Sequence, residues 1–211
     1  MRSTIAQALS FDVGVFAMRY ANRFGMLTLT DPTGAPYTFK TNVGTAFTRG
    51  IEARASAPLT LSRRATLRAF GAVSYLNARY VSGTIPVGST NISIIGNQVE
   101  SAPKWIVRSG LSATTRVTSF RVQWSYVSAT FADALNTLAP NVTGAVGQVP
   151  SYALTDVSGA YTISPRARAI AGLNNVFNRQ YFTKRPQLYP GPGLWPSDGR
   201  SVYLGIDVNP R

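Results

Sequence analysis

The sequence contains no cysteine and no histidine. Without cysteine there is no disulfide, no thiolate nucleophile and no Cys-ligated zinc or iron–sulfur site. Without histidine, a Ser-His-Asp triad, an HExxH zinc site and an imidazole proton shuttle are all excluded. Charge is scarce too: 14% of the 211 residues are charged, against about 25% in an average soluble domain. Acids are the rarer sign, 8 against 21 basic residues, and only 3 of those 21 are lysine. No stretch approaches the roughly 18–20 consecutive apolar residues of a transmembrane helix. Ala6-x-Ala8 has the small-residue spacing of a cleavage site but no apolar run before it, so the chain reads as beginning inside a structured segment.

What is present is apolar and basic. Hydrophobic residues make up 45% of the chain, which excludes disorder, and the net charge is +13. A basic surface gains affinity for nucleic acid by displacing counterions from phosphates. Here the arginines are spread along the chain, the longest run being Arg63-Arg64, and no zinc-finger, helix-turn-helix or RNP-like pattern accompanies them. No nucleic-acid partner is expected. Spread arginines suit a polar lumen or the binding of anions, because the guanidinium fork pairs with carboxylates and phosphates.

The apolar pattern repeats every two residues. Phe120, Val122, Trp124 and Tyr126 alternate with Arg121, Gln123 and Ser125; Val202, Leu204, Ile206 and Val208 alternate with Tyr203, Gly205 and Asp207. Such alternation describes strands with one apolar and one polar face. Helix signals are absent, so an all-β fold is expected. Eight strands are expected, at 9–28, 38–58, 64–82, 99–115, 119–132, 150–163, 167–183 and 199–208. Many exceed the about nine to eleven residues that a tilted membrane strand needs. Long connections (29–37, 83–98, 133–149, 184–198) alternate with short ones (61–64, 116–118, 164–166), the asymmetry of an antiparallel transmembrane β-barrel. A secreted β-sandwich remains the alternative on alternation alone.

Catalytic chemistry finds little support. Glu52 and Glu100 could be imagined as a glycosidase pair, but one acid per strand on a polar face reads better as part of a lumen ion-pair network. No GxSxG, P-loop or GxGxxG is present. The sequons at Asn91 and Asn141 read as ordinary loop residues.

Several separated stretches carry a family pattern. Ala171-Gly-Leu-Asn174-Asn175-Val-Phe-Asn178-Arg-Gln-Tyr181-Phe182 is followed by Gly199-Arg200 and a final alternating strand. Asn42-Val43-Gly44 precedes Gly50-Ile51-Glu52, and Gly96-Asn97-Gln98-Val99-Glu100-Ser101-Ala102-Pro103-Lys104 opens another strand. In this order they resemble the C-terminal barrel of TonB-dependent outer-membrane receptors. Phe131-Ala-Asp133-Ala-x-Asn136-Thr137, Val146-Gly-Gln-Val-Pro150-Ser-Tyr152 and the Tyr-Phe-Thr-Lys184-Arg185 run resemble the ferric dicitrate branch in particular.

The resemblance implies a 22-stranded barrel filled by an N-terminal plug, of which residues 1–211 are the C-terminal part, about eight strands; plug, TonB box and signal peptide would lie elsewhere. It implies residence in the bacterial outer membrane and uptake of a ferric chelate, ferric citrate or another siderophore, powered through TonB. No enzymatic step and no resident cofactor are implied, ferric iron entering only within its chelate. Outer-membrane lipid and lipopolysaccharide would be partners. Arg79, Asn136, Lys184 and Arg185 fall near the extracellular side on this reading and are the ligand candidates. The alternative is a stand-alone eight-stranded outer-membrane barrel acting as anchor or adhesin. The ending Asn209-Pro210-Arg211 departs from the aromatic residue on which such barrels usually finish.

Overall fold

The computed structural model describes residues 2–5, 9–30, 33, 36–62, 64–187 and 191–209; the Ala6-x-Ala8 pattern and the final two residues lie outside them. Four strands come first: β1 (Arg2–Ile5), β2 (Leu9–Thr30), β3 (Pro36–Ser62) and β4 (Ala65–Ser82). A small hairpin follows, β5 (Thr84–Val87) with β6 (Thr90–Ser93). β7 (Trp105–Thr115) and β8 (Thr118–Val127) precede a two-residue pair, β9 (Thr130–Phe131) with β10 (Gln148–Val149). Then come β11 (Tyr152–Ser164), β12 (Ala167–Asn174), the short pair β13 (Phe182–Lys184) and β14 (Trp195–Pro196), and β15 (Ser201–Val208). The described residues contain no helix.

Nine strands form one antiparallel sheet in the order β1-β2-β3-β4-β7-β8-β11-β12-β15. β1 and β15 are its edges, and no ladder joins them among the described residues. Over the described residues the sheet is therefore open.

Register sorts the side chains onto two faces. Ala69, Leu111, Val122, Val157, Leu173 and Val202 are direct partners along one row, so six strands contribute to one apolar band. The band is uncovered: Val202, Leu204 and Ile206 are 69%, 80% and 70% exposed. A large bare apolar surface marks contact with another apolar phase, a partner or a membrane. Aromatics bracket it. Tyr75 packs on Trp105 at 4.6 Å toward the long connections, while Phe120 and Tyr161 lie toward the short turns.

The opposite face carries the charge. Asp12, Arg54, Ala72, Arg108 and Ser125 align in one row, and Arg54 donates to Asp12 at 3.0 Å. Gln123 lies opposite Asp156, Arg121 opposite Ser158, and Arg168 opposite Asp207. On this face a large ring repeatedly sits over a facing glycine: Phe16 over Gly50, Phe70 over Gly110 and Tyr203 over Gly172. A Cβ on Gly172 would fall 2.2 Å from the Tyr203 ring. Gly172→Val is expected to cost the folded barrel about 2 kcal/mol through this overpacking. A lowered denaturant midpoint would show it, and an unchanged midpoint would contradict the ring's position.

The strand expectations need three corrections. Residues 99–104 belong to no strand, because Ser101 is left-handed (φ 56°) and Pro103 cannot donate to a ladder. β8 stops at Val127 rather than 132, the next residues forming the separate β9–β10 pair. β12 stops at Asn174 rather than 183, since Asn175 (φ 48°) and Asn178 (φ 51°) turn the chain. A short extra strand, β1, pairs with β2. β2 and β3 run much further than the rest, so their hairpin projects at the long-connection end.

Candidate functional site

The long connections fold onto a small core above the aromatic pair Tyr75–Trp105. Val43, Ala46, Ala78, Tyr80, Ile85, Ile94, Val99 and Ala134 form it. Two glycines permit this packing. The Cβ positions of Gly44 (φ 155°) and Gly83 (φ 136°) are occupied by the Ser82 and Val43 carbonyls, at 2.0 and 2.2 Å. Gly44 thus needs to be glycine, which accounts for its place after Asn42-Val43.

Residues 96–104 continue beside β4 where β7 has not yet begun. Tyr80 N–H donates to Asn97 O, Val99 N–H to Ala78 O and Leu76 N–H to Lys104 O, all between 2.9 and 3.0 Å. Asn136, left-handed at φ 59°, locks the next loop onto this segment. Its Oδ1 accepts from Gln98 N at 2.7 Å and its Nδ2 donates to Gln98 O at 2.8 Å, imitating a strand partner.

An ion-pair cluster closes the same region. Arg23 donates to Glu100 Oε1 at 3.1 Å, and the Tyr80 hydroxyl donates to Glu100 Oε2 at 2.8 Å. Burial, reinforced by the Glu100 charge, pushes the Tyr80 phenol well above its ordinary value. A raised acid of this kind contributes stability that is whole below about pH 10, the unfolded value, and is lost as pH rises through the higher folded value. A tyrosinate absorbance titration should lose its latest-ionising phenol in Tyr80→Phe. Its persistence in that variant would contradict the assignment.

Beside the cluster lies a cleft of about 480 Å3. The β2–β3 hairpin supplies Phe24 and Lys40, the 99–104 segment supplies Glu100, and the loops contribute Asp133, Lys184, Arg185, Gln187 and Trp195. Lys40 sits 5.4 Å above the Phe24 ring. Two buried polar atoms of its lining residues, Asp133 Oδ2 and Gln187 Oε1, have no hydrogen-bond partner among the described residues, and neither has Arg23 Nε in the adjoining ion-pair cluster. Buried polar atoms are nearly always paired, so the two orphans of the lining mark a place that a polar ligand or ordered water completes.

The four sequence candidates are divided by the fold. Lys184 and Arg185 line the cleft. Arg185 also serves the structure, donating to Gly144 O at 3.0 Å and Gln148 O at 3.2 Å, with its guanidinium 4.9 Å from the Phe182 ring. Burial lowers its guanidinium from the ordinary value, and it stays charged. Asn136 spends both side-chain ends on Gln98. Arg79 stands apart, since it shares the face of Tyr75 and Asn77, donating to Asn77 Oδ1 at 3.2 Å and to Gly96 O. Arg23, Lys40, Asp133, Gln187 and Trp195 were not singled out. The available signal was that all three lysines, Lys40, Lys104 and Lys184, fall at this end.

Asn175 carries the last sequence pattern. It is buried, its N–H donates to Asp156 Oδ1 at 2.8 Å, and its side chain clasps both N–H and carbonyl of Arg179. Asn178 Oδ1 accepts from Arg200 N at 3.0 Å, which ties the turn to the start of the last strand. Residues 5–176 match the family described as TonB dependent receptor-like, beta-barrel. The chain belongs to this family.

Solved structures with the same fold are receptors and transporters by name. The ferric citrate transporter FecA, unliganded, is 22% identical with a TM-score of 0.73, covering 95% of this chain and 29% of that one. The siderophore receptor PiuA from Acinetobacter baumannii is 19% identical with a TM-score of 0.67, covering 97% and 26%. The ferric yersiniabactin uptake receptor FyuA from Yersinia pestis is 17% identical with a TM-score of 0.67, covering 98% and 28%. At these identities the likeness is one of fold. This TonB-dependent receptor-like chain spans under a third of the length of those chains.

Proposed function

We propose that this segment is wall and extracellular mouth of an outer-membrane receptor that imports a ferric chelate, driven through TonB. One observation carries this reading: the cleft at the long-connection end, where Lys40, Lys184 and Arg185 converge. A ferric tricarboxylate presents carboxylate oxygens to such cations and accepts charge-assisted hydrogen bonds from them. Ferric citrate is the chelate we name, with another anionic siderophore as the wider class. The iron is cargo within its chelate.

The remaining parts follow from the same reading. The apolar band with its bracketing aromatics faces lipid, the long connections face outward toward lipopolysaccharide, and the charged face lines the lumen. Residues 1–211 then form the C-terminal part of a larger barrel whose plug reaches TonB. The open edges at β1 and β15 speak for closure by further strands, because lipid satisfies no unpaired backbone group. They speak against a stand-alone small barrel.

Uptake of radioiron citrate tests this in cells lacking the receptor and complemented with it. Accumulation that depends on both the receptor and the proton-motive force is expected. Accumulation of iron from no anionic chelate in the complemented cells would overturn the reading.

A further inference from the structure

At the opposite end of the sheet, the apolar face carries a shallow groove of about 760 Å3. Gly159, Ala169 and Ala171 form its floor, and Phe120, Tyr161 and Leu204 stand around it. The floor is low because the facing row Phe120–Gly159–Ala171–Leu204 places small residues between bulky ones. Neither chelate binding nor transport calls for a groove on this face.

The short turns beside it are basic. Arg64, Arg116 and Arg166, one in each of the three short turns between long strands, are all exposed, and the sequence has no acid at 61–66, 115–119 or 163–167. The backbone brings the Arg116 turn against β11, Thr162 N–H donating to Val117 O at 2.8 Å. The Arg166 turn caps the same strand and holds Asn209, whose N–H donates to Arg166 O at 3.0 Å. Tyr161, 54% exposed on the apolar face, lies between these turns and the groove floor.

Apolar groove, amphipathic phenol and cationic turn thus follow one another from sheet to interface, the sequence of chemistries in a phospholipid read from tail to head. We propose that this end of the sheet binds an anionic glycerophospholipid of the inner leaflet. Its phosphate lies at Arg116 and Arg166, with one acyl chain in the groove. The inference rests on the membrane placement proposed above. A soluble acidic partner would satisfy the arginines and leave the groove unused, whereas one lipid engages both.

The intact receptor would be placed in nanodiscs of mixed phosphatidylethanolamine and phosphatidylglycerol, and lipids retained on release read by native mass spectrometry. Phosphatidylglycerol is expected to be enriched about tenfold over its bulk share, since each basic side chain near an anionic headgroup adds materially to binding. R116Q/R166Q should return the ratio to bulk, and Ala171→Phe, which fills the groove with the arginines intact, should also lower retention. Enrichment unchanged in R116Q/R166Q, or full retention in Ala171→Phe, would overturn the proposal. A receptor that fails to enter nanodiscs as a heat-modifiable barrel would contradict the membrane placement itself, an outcome read separately on a gel.

Discussion

Replacing Lys40 and Lys184 together with glutamine in the intact receptor is expected to raise the Kd for ferric citrate about a hundredfold. Each lysine offers a charge-assisted hydrogen bond to a bound carboxylate, worth about 1.5–3 kcal/mol. Lys40 arrives from the β2–β3 hairpin and Lys184 from β13, so the two reach the cleft from separate parts of the chain. Neither is committed to a backbone carbonyl as Arg185 is, which makes them the cleaner pair to change. The dependence of binding on salt should weaken in the same variant, because two screened attractions have been removed. Equilibrium binding at two ionic strengths checks both. An unchanged Kd at low salt would remove the lysines from the site.

The second large effect concerns the support of the cleft. Glu100→Ala leaves the Arg23 guanidinium without its counter-charge and the Tyr80 hydroxyl without its acceptor. Arg23 and Glu100 side chains are 30% and 19% exposed, so water restores little of what is lost. Breaking such a pair costs about 3 kcal/mol. The cost falls locally, on residues 96–101 and on the loop that Asn136 fastens to them. Amide hydrogen exchange there should accelerate about a hundredfold while the strands of the sheet stay protected. Glu100→Gln, which keeps an acceptor for Tyr80, should show a smaller change. Equal protection in wild type and Glu100→Ala would mean that the cluster does not hold the mouth.

The sheet was legible because its physics is periodic. Alternation such as Phe120, Val122, Trp124 and Tyr126 against Arg121, Gln123 and Ser125 fixes both strand and face, and the register keeps every one of these residues on its expected side. Strand ends were less legible where an asparagine or serine enters the left-handed region. Asn175, Asn178 and Ser101 do so for their side-chain or loop contacts, which no period reveals. The cleft was half legible. Lys184 and Arg185 stand within one short run, but Lys40 and Arg23 join them only through a hairpin whose bulge at Asn22 resets the faces. Arg79 was misgrouped with them because closeness to a strand end says nothing of the face. Its parity with Tyr75 puts it on the apolar side of the sheet.

The absence of cysteine makes one measurement unusually direct, because a single introduced thiol is the only one this segment carries. Lys184→Cys and Val117→Cys would be made separately in the intact receptor and treated in whole cells with a membrane-impermeant maleimide. The first lies in the cleft and the second in a short turn at the other end of the sheet. Labelling at 184 that ferric citrate blocks, with none at 117 until the cells are opened, is the result predicted for an outward mouth that holds the chelate. Labelling at 117 in intact cells, or labelling at 184 that ferric citrate leaves untouched, would contradict it.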